Sequence, residues 1–249
     1  MLRRLRDCEG WAVHARDGEV GAIRDFYFDD ERWTVRYLVV TTGGWLTGRD
    51  VLISPMSFGA VDWEAARFDV TLTRDQVRDA PHVDTARPVS RRYEVDYLGY
   101  YGYPYYWAGG GVWGTAPTPM GVPMAAQLGE AEGPKAPEES HLRSVHEVTG
   151  YHIQALDGEI GHVDDFLTDG ESWTIRYLMI DTSNWIGGRS VLIAPDWVRR
   201  IDWARQLVHV DLTRSNVQDS PAYEQGMDVD RAYEERLHAH YAKPAYWKR

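Results

Sequence analysis

The chain has little of what covalent or redox chemistry requires. It holds a single cysteine, Cys8, among 249 residues, so no disulfide can form within it and no cysteine cluster can hold a metal. No apolar run approaches the ~18 residues a helix needs to cross a bilayer. Positive charge is scarce: 27 Lys+Arg against 38 Asp+Glu leave a formal net charge of -11, which argues against a phosphate backbone or an anionic membrane surface as main partner. No Gly-x-Gly-x-x-Gly or phosphate loop follows a strand and opens a helix, and no serine or cysteine sits in a recognisable nucleophile elbow. The first six residues include Arg3, Arg4 and Arg6, but Asp7, Glu9 and Gly10 stand where a secretory signal would place its apolar core, so the expected compartment is the cytoplasm. These absences predict no enzyme activity, no catalytic or metal-binding residue and no cofactor.

What is present is a duplication. Trp33-Thr34-Val35-Arg36-Tyr37-Leu38 returns as Trp173-Thr174-Ile175-Arg176-Tyr177-Leu178. At this constant offset of 140, residues 2–81 align with 142–221 without insertion or deletion, and 34 of the 80 positions are identical. Every loop keeps its length, so both halves should share one backbone. Cys8 faces Val148, which marks a small apolar packing site, the usual place of a free cysteine.

Each copy reads as six short strands separated by turns. The first, near residues 11–15 and 151–155, ends in Asp17-Gly18 or Asp157-Gly158, a dipeptide suited to a tight hairpin. Gly21 and Gly161 interrupt the second strand, as at a bulge or a close backbone approach. The Trp-Thr-Val/Ile-Arg-Tyr-Leu segment alternates in period two and is expected to be a half-buried central strand, with Trp33 and Trp63 in the core. Pro55 and Pro195 close the fourth strand, and Thr73 and Thr213 begin short helical turns with Gln76 or Asn216 in the fourth position of a capping box. The repeat continues into a helical aromatic tail, where Tyr93, Tyr97 and Tyr101, or Tyr233, Leu237 and Tyr241, fall on one helix face behind a Ser90 or Asp230 cap. The expected domains are a barrel at 1–81, its tail at 82–107, a Gly/Pro/Ala-rich mobile linker at 108–141, a second barrel at 142–221 and its tail at 222–249. The two barrels are expected to pair within the chain, and a homo-oligomer is compatible with this layout.

The ordered motifs Asp-Gly-Glu-Val-Gly (17–21), Asp25-Phe26, residues 33–40, Gly48-Arg49, Val-Leu-Ile-Ser-Pro (51–55) and Leu72-Thr73-Arg74, each with a partner 140 positions on, resemble the PRC-barrel family. The resemblance implies a mainly β protein with two six-stranded β-barrels. The family includes the cytoplasmic domain of the photosynthetic reaction centre H subunit, the C-terminal domain of a ribosome maturation factor, and stand-alone bacterial proteins, which the aromatic tail resembles most. This chain shows neither the H subunit's membrane helix nor the ribosome factor's separate N-terminal domain. The resemblance therefore implies a protein-contact module and no one role, since fold does not fix function.

Against that background the repeated side chains sort by chemistry. Arg36 is expected to pair with Asp25 or Asp62, and Arg176 with Asp165 or Asp202, because a charge inside such a strand needs a partner; Asp29 reads as turn chemistry. His238 and His240 lie two apart, so their rings point to different sides of a helix. Trp45 and Trp185 lie in loops beside Arg49 and Arg189, a composition enriched at interface hot spots. With Tyr101, Trp107, Tyr241 and Trp247 of the tails they form the expected protein-contact set, serving the other barrel or an outside protein. Stacking on nucleic-acid bases is disfavoured by the net charge. The leading expectation is a non-enzymatic scaffold or adaptor; the alternatives are a peripheral regulator of a membrane photosynthetic or electron-transfer complex, and a small-ligand or RNA-processing-related binding protein. The copies diverge most at 56–60 against 196–200 and at 64–69 against 204–209, where a difference in partners is expected to map.

Overall fold

The computed structural model of the protein describes residues 1–119, 141–182, 189–224 and 226–248. They form two compact units, which do not coincide with uninterrupted halves of the sequence. The second-copy unit comprises Met1–Arg6, Val145–Gly170 and Ile175–Arg249, and the first-copy unit comprises Asp7–Ser144 and Glu171–Thr174.

Strand β1 (Leu2–Arg4) is the N-terminal strand of the chain and belongs to the second-copy unit. In the first-copy unit, β2 (Ala12–Ala15), β3 (Gly18–Asp29), β4 (Thr34–Thr42), β5 (Asp50–Ile53), β6 (Phe58–Asp62) and β7 (Arg67–Val70) form a sheet in the order β5-β4-β3-β2-β7-β6. A seventh strand, β8 (Leu142–Ser144), pairs with the far end of β3. In the second-copy unit β9 (His152–Ala155), β10 (Gly158–Asp169), β11 (Ile175–Asp181), β12 (Ser190–Ile193), β13 (Val198–Asp202) and β14 (Leu207–Val210) repeat the order as β12-β11-β10-β9-β14-β13. Here β1 takes the place on β10 that β8 takes on β3. Each copy thus completes its sheet with the leading strand of the other repeat.

The class is mainly β and each copy supplies six strands, as expected, but the ladder does not close into a barrel. Among the described residues the end strands β5 and β6 share no pairing and are joined by a 3-10 turn at Pro55–Ser57. Pro55 has no N–H to extend the ladder. The glycine within the second strand is required by a close approach: a Cβ on Gly21 would lie 2.1 Å from the Thr41 carbonyl oxygen, and one on Gly161 2.1 Å from that of Asp181.

The central strand β4 is buried on both faces, not one. The aromatic tail supplies the second cover. Its helix, Arg91–Tyr101, starts on a Ser90 cap and ends at Gly102 in the left-handed region. Tyr97 packs edge-on against Tyr37 at 5.1 Å, donates to Leu52 O and accepts from the Ser54 N–H. The second tail helix, Arg231–His240, likewise buries Tyr233 and Leu237 in its own unit. Both capping boxes are present, and Cys8 and Val148 are buried.

Two further expectations are corrected. Trp33 is not a strand residue: β4 begins at Thr34, and Trp33 takes a left-handed turn conformation (φ 50), half-exposed and stacked on Phe28. Its repeat Trp173 (φ 59) is buried between Phe58 and Phe68 of the first-copy unit. Trp63 is also half-buried, edge-on to Trp11. The stretch 108–119 is not an unpacked linker. Trp113 within it is 2% exposed and donates through Nε1 to the Ser172 carbonyl. Arginines hold the carbonyls of the same segment: Arg32 donates to Gly109 O and Gly111 O, and Arg36 to Val112 O.

Candidate functional site

The repeated charges are structural, and their partners differ from those expected. Arg36 is the extra residue of a β-bulge: Phe28 faces Val35 and Tyr27 faces Tyr37, leaving Arg36 between them. Asp29 faces Thr34, two residues away along β4, so its carboxylate meets the guanidinium at 2.8 Å. Arg176 repeats the arrangement with Asp169 at 2.6 Å. Asp62 and Asp202 instead accept backbone N–H groups in the following turns. Asp25 and Asp165 hold the exchanged strands: Asp25 accepts from the Ser144 hydroxyl of β8, and Asp165 from Arg4 Nε of β1 at 2.9 Å.

Behind Arg36 lies a buried polar network. Its guanidinium lies 3.8 Å from the Tyr106 ring centre and 4.6 Å from that of Trp113, and donates to Val112 O. Tyr106 donates to Glu94 at 2.6 Å, as does Tyr37 at 3.3 Å, and Arg91 pairs with Glu94 at 2.9 Å. Burial pushes the Glu94 carboxyl up to about 7, against the pull of Arg91 and Tyr106. The folded protein therefore holds this proton more tightly than the unfolded chain, whose carboxyl sits near 4.5. The resulting stability is full below the unfolded value and is lost as pH rises towards 7. Denaturant midpoints at pH 5 and pH 8 should show a decline on the order of 2 kcal/mol that Glu94→Gln removes. An equal decline in the variant would assign the effect to other groups.

The aromatic contact candidates are mostly engaged within their own unit. Trp45 donates from Nε1 to Val20 O at 2.8 Å and lies under Arg74, while Arg49 donates to Arg78 O at 2.5 Å. Arg189 donates to Ser220 O; Trp185 lies outside the described residues. Tyr101 donates to Gln76 O and Tyr241 packs on Trp197. Trp107 and Trp247 are half-buried, with Arg91 at 4.1 Å and Arg231 at 3.9 Å over their rings. His238, which replaces Leu98 of the first copy, is buried with Nε2 3.0 Å from the Tyr177 hydroxyl; burial lowers its pKa. His240 points instead to Asn216 O.

The least occupied chemistry lies where the copies diverge. Strand β13 is an end strand of its sheet, and Arg199 is the extra residue of a bulge between Val198 and Arg200. The bulge leaves two consecutive arginines exposed. Across β13, β14 and β9, Arg200 faces His209 and His209 faces Gln154. These residues, with Leu156 and Val210, line a groove of about 430 Å³. Leu156 is 54% exposed. Arg205 adds a third guanidinium, 80% exposed and 3.9 Å from Asp202. His209 is held below its ordinary pKa by partial burial first, then by Arg200, Arg199 and Arg205, with Asp202 opposing them. Asp211 is taken up by Lys243 at 2.8 Å.

The first copy carries Gly59, Ala60 and Ala65 at the three arginine positions, and its Asp69 is paired with Arg67 at 2.8 Å. In the second copy that pair is replaced by Leu207 and His209, and among the described residues Arg199 and Arg200 have no carboxylate within salt-bridge distance. Sequence divergence marked these segments; that they form one sheet edge depends on the fold.

Comparison with known proteins bears on the first copy. Residues 2–77 match the PRC-barrel domain family. The first copy is a PRC-barrel domain. The PRC-barrel match includes β1, which the fold places in the second-copy unit, and the second copy enters through the internal repeat. An uncharacterized protein of Deinococcus radiodurans is 38% identical over 71 residues, covering 28% of this chain and 25% of that protein. The chain thus spans about a quarter of that relative. Among the described residues no helix is long and apolar enough to cross a membrane.

Proposed function

We propose that this duplicated protein, whose first copy matches the PRC-barrel domain, is a non-enzymatic adaptor that engages a protein partner through the β13 edge of its second-copy unit. The observation that carries the proposal is the contrast between equivalent edges. β6 presents Gly59 and Ala60, whereas β13 presents Arg199 and Arg200 above a groove with an exposed leucine. Arginine beside apolar surface is the composition of an interface anchor. The buried carboxylates and arginines, by contrast, serve the fold: each has a structural partner in its own unit.

A photo-crosslinking residue at position 200 should capture a protein in the native cell, and the same residue at the equivalent position 60 should not. Equal capture at both positions, or at neither, would remove the basis for the adaptor reading.

A further inference from the structure

The groove also carries information about its occupant. Resting on the adaptor reading, we propose that β13 accepts an acidic, extended polypeptide segment as an added strand, with Arg199, Arg200 and Arg205 receiving its carboxylates.

Three observations lead there. First, β13 pairs with β14 on one side, and no described strand pairs with its other side; such an edge is a template for strand addition. Second, the guanidinium groups cluster in a chain whose net charge is -11, so the patch is a local reversal of sign. Guanidinium forks bind carboxylates in a bidentate manner, which favours arginine over lysine for this task. Third, Arg199 and Arg200 themselves line the near wall of the groove, so side chains of the added strand that point to this face meet the guanidinium groups first.

A nucleic acid or an anionic membrane meets the same arginines less well. Either would extend its phosphates beyond the patch onto a predominantly acidic protein, where repulsion opposes binding. The groove, at about 430 Å³, has room for a few side chains. Charges on a sheet edge can also serve simply to prevent copies of the chain from pairing. That role predicts self-association when the charges are removed and no affinity for an acidic segment.

The test uses the full chain and a fluorescein-labelled peptide of alternating glutamate and valine, about eight residues long and sufficient to span the strand. Fluorescence anisotropy should show binding that weakens with salt. Arg199→Glu/Arg200→Glu should lower affinity at least about tenfold, while Gly59→Glu/Ala60→Glu on the equivalent edge leaves it unchanged. Arg205→Glu alone, outside the strand, should weaken binding without disturbing the sheet and serves if the double variant fails to fold. Bound peptide should also slow hydrogen exchange at the β13 amides. Absence of peptide binding, equal binding by all folded variants, or tighter binding of a single-stranded oligonucleotide of equal charge would overturn the proposal. Crosslinking at position 200 separates this from the broader reading: a protein captured through an acidic run supports both, and one captured through a neutral or basic run overturns only the acidic-strand inference.

Discussion

Removal of Met1–Arg6 should unfold the second-copy unit, the rest of which begins only at Val145, while the first-copy strands β2 to β7 keep their protection from hydrogen exchange. The deleted segment carries β1, whose Leu2, Arg3 and Arg4 pair with Asp169, Thr168 and Leu167. It also carries Leu5, fully buried and hydrogen-bonded to Phe166 O, and Arg4, which pairs with Asp165 at 2.9 Å. Burying a leucine contributes about 2 kcal/mol, and stripping a buried carboxylate of its ion partner costs about 3–5 kcal/mol. The deletion removes two donors of Asp165 at once, Arg4 Nε and the Arg6 N–H, together with the strand that covers it. Together these losses equal or exceed ~5 kcal/mol, the lower end of a domain's whole stability. Asp165→Asn in the shortened chain should recover part of the loss, because it removes the uncompensated charge. Protection retained throughout β10 and β11 after the deletion would show that β1 contributes little.

Arg36→Met should destabilise the first-copy unit by about 3–5 kcal/mol in denaturant titration. Arg36 is 0% exposed and its partner Asp29 4%, and the methionine leaves that carboxylate buried with only the Glu31 and Arg32 N–H groups as donors. It also ends the contacts to Tyr106 and Trp113. Adding Asp29→Asn should restore part of the stability, and the double-mutant cycle then gives the coupling of the pair. The equivalent Arg176→Met should cost less. Arg176 and Asp169 are 23% and 18% exposed, so solvent screens both the pair and the charge left behind. Equal losses in the two copies would mean that burial does not set the worth of this ion pair.

Elements whose signals are local were legible before the fold was known. Hairpin turns at Asp17-Gly18 and Asp157-Gly158, the capping boxes at Thr73 and Thr213, and the aromatic face of the helix at Tyr93, Tyr97 and Tyr101 all follow from neighbours a few residues apart. The partner of Arg36 did not. A bulge at Tyr27/Phe28 alters which residues meet across β3 and β4, and alternation counted on one strand contains no information about its partner's register. Trp113 was lost in a Gly-rich composition for a related reason: its burial depends on Ser172, distant in the chain. Of the candidate site, divergence between the copies pointed to the segments around 199 and 209. Their meeting depends on the pairing of β13, β14 and β9.

The amino-acid sequence by itself determined that the chain is a duplicated, mainly β protein with six strands and an aromatic tail in each copy. Period, turn chemistry and a gapless repeat are properties of residues close together or at one fixed offset. Only the tertiary structure decided that the leading strands are exchanged and that Arg199 and Arg200 stand on an open edge, with Arg205 in the turn that follows it. Leu2-Arg3 and Leu142-Arg143 are the same dipeptide, so joining either sheet satisfies the same repeat pattern. The choice between them rests on contacts between residues far apart in the chain, such as Arg4 with Asp165 and Ser144 with Asp25.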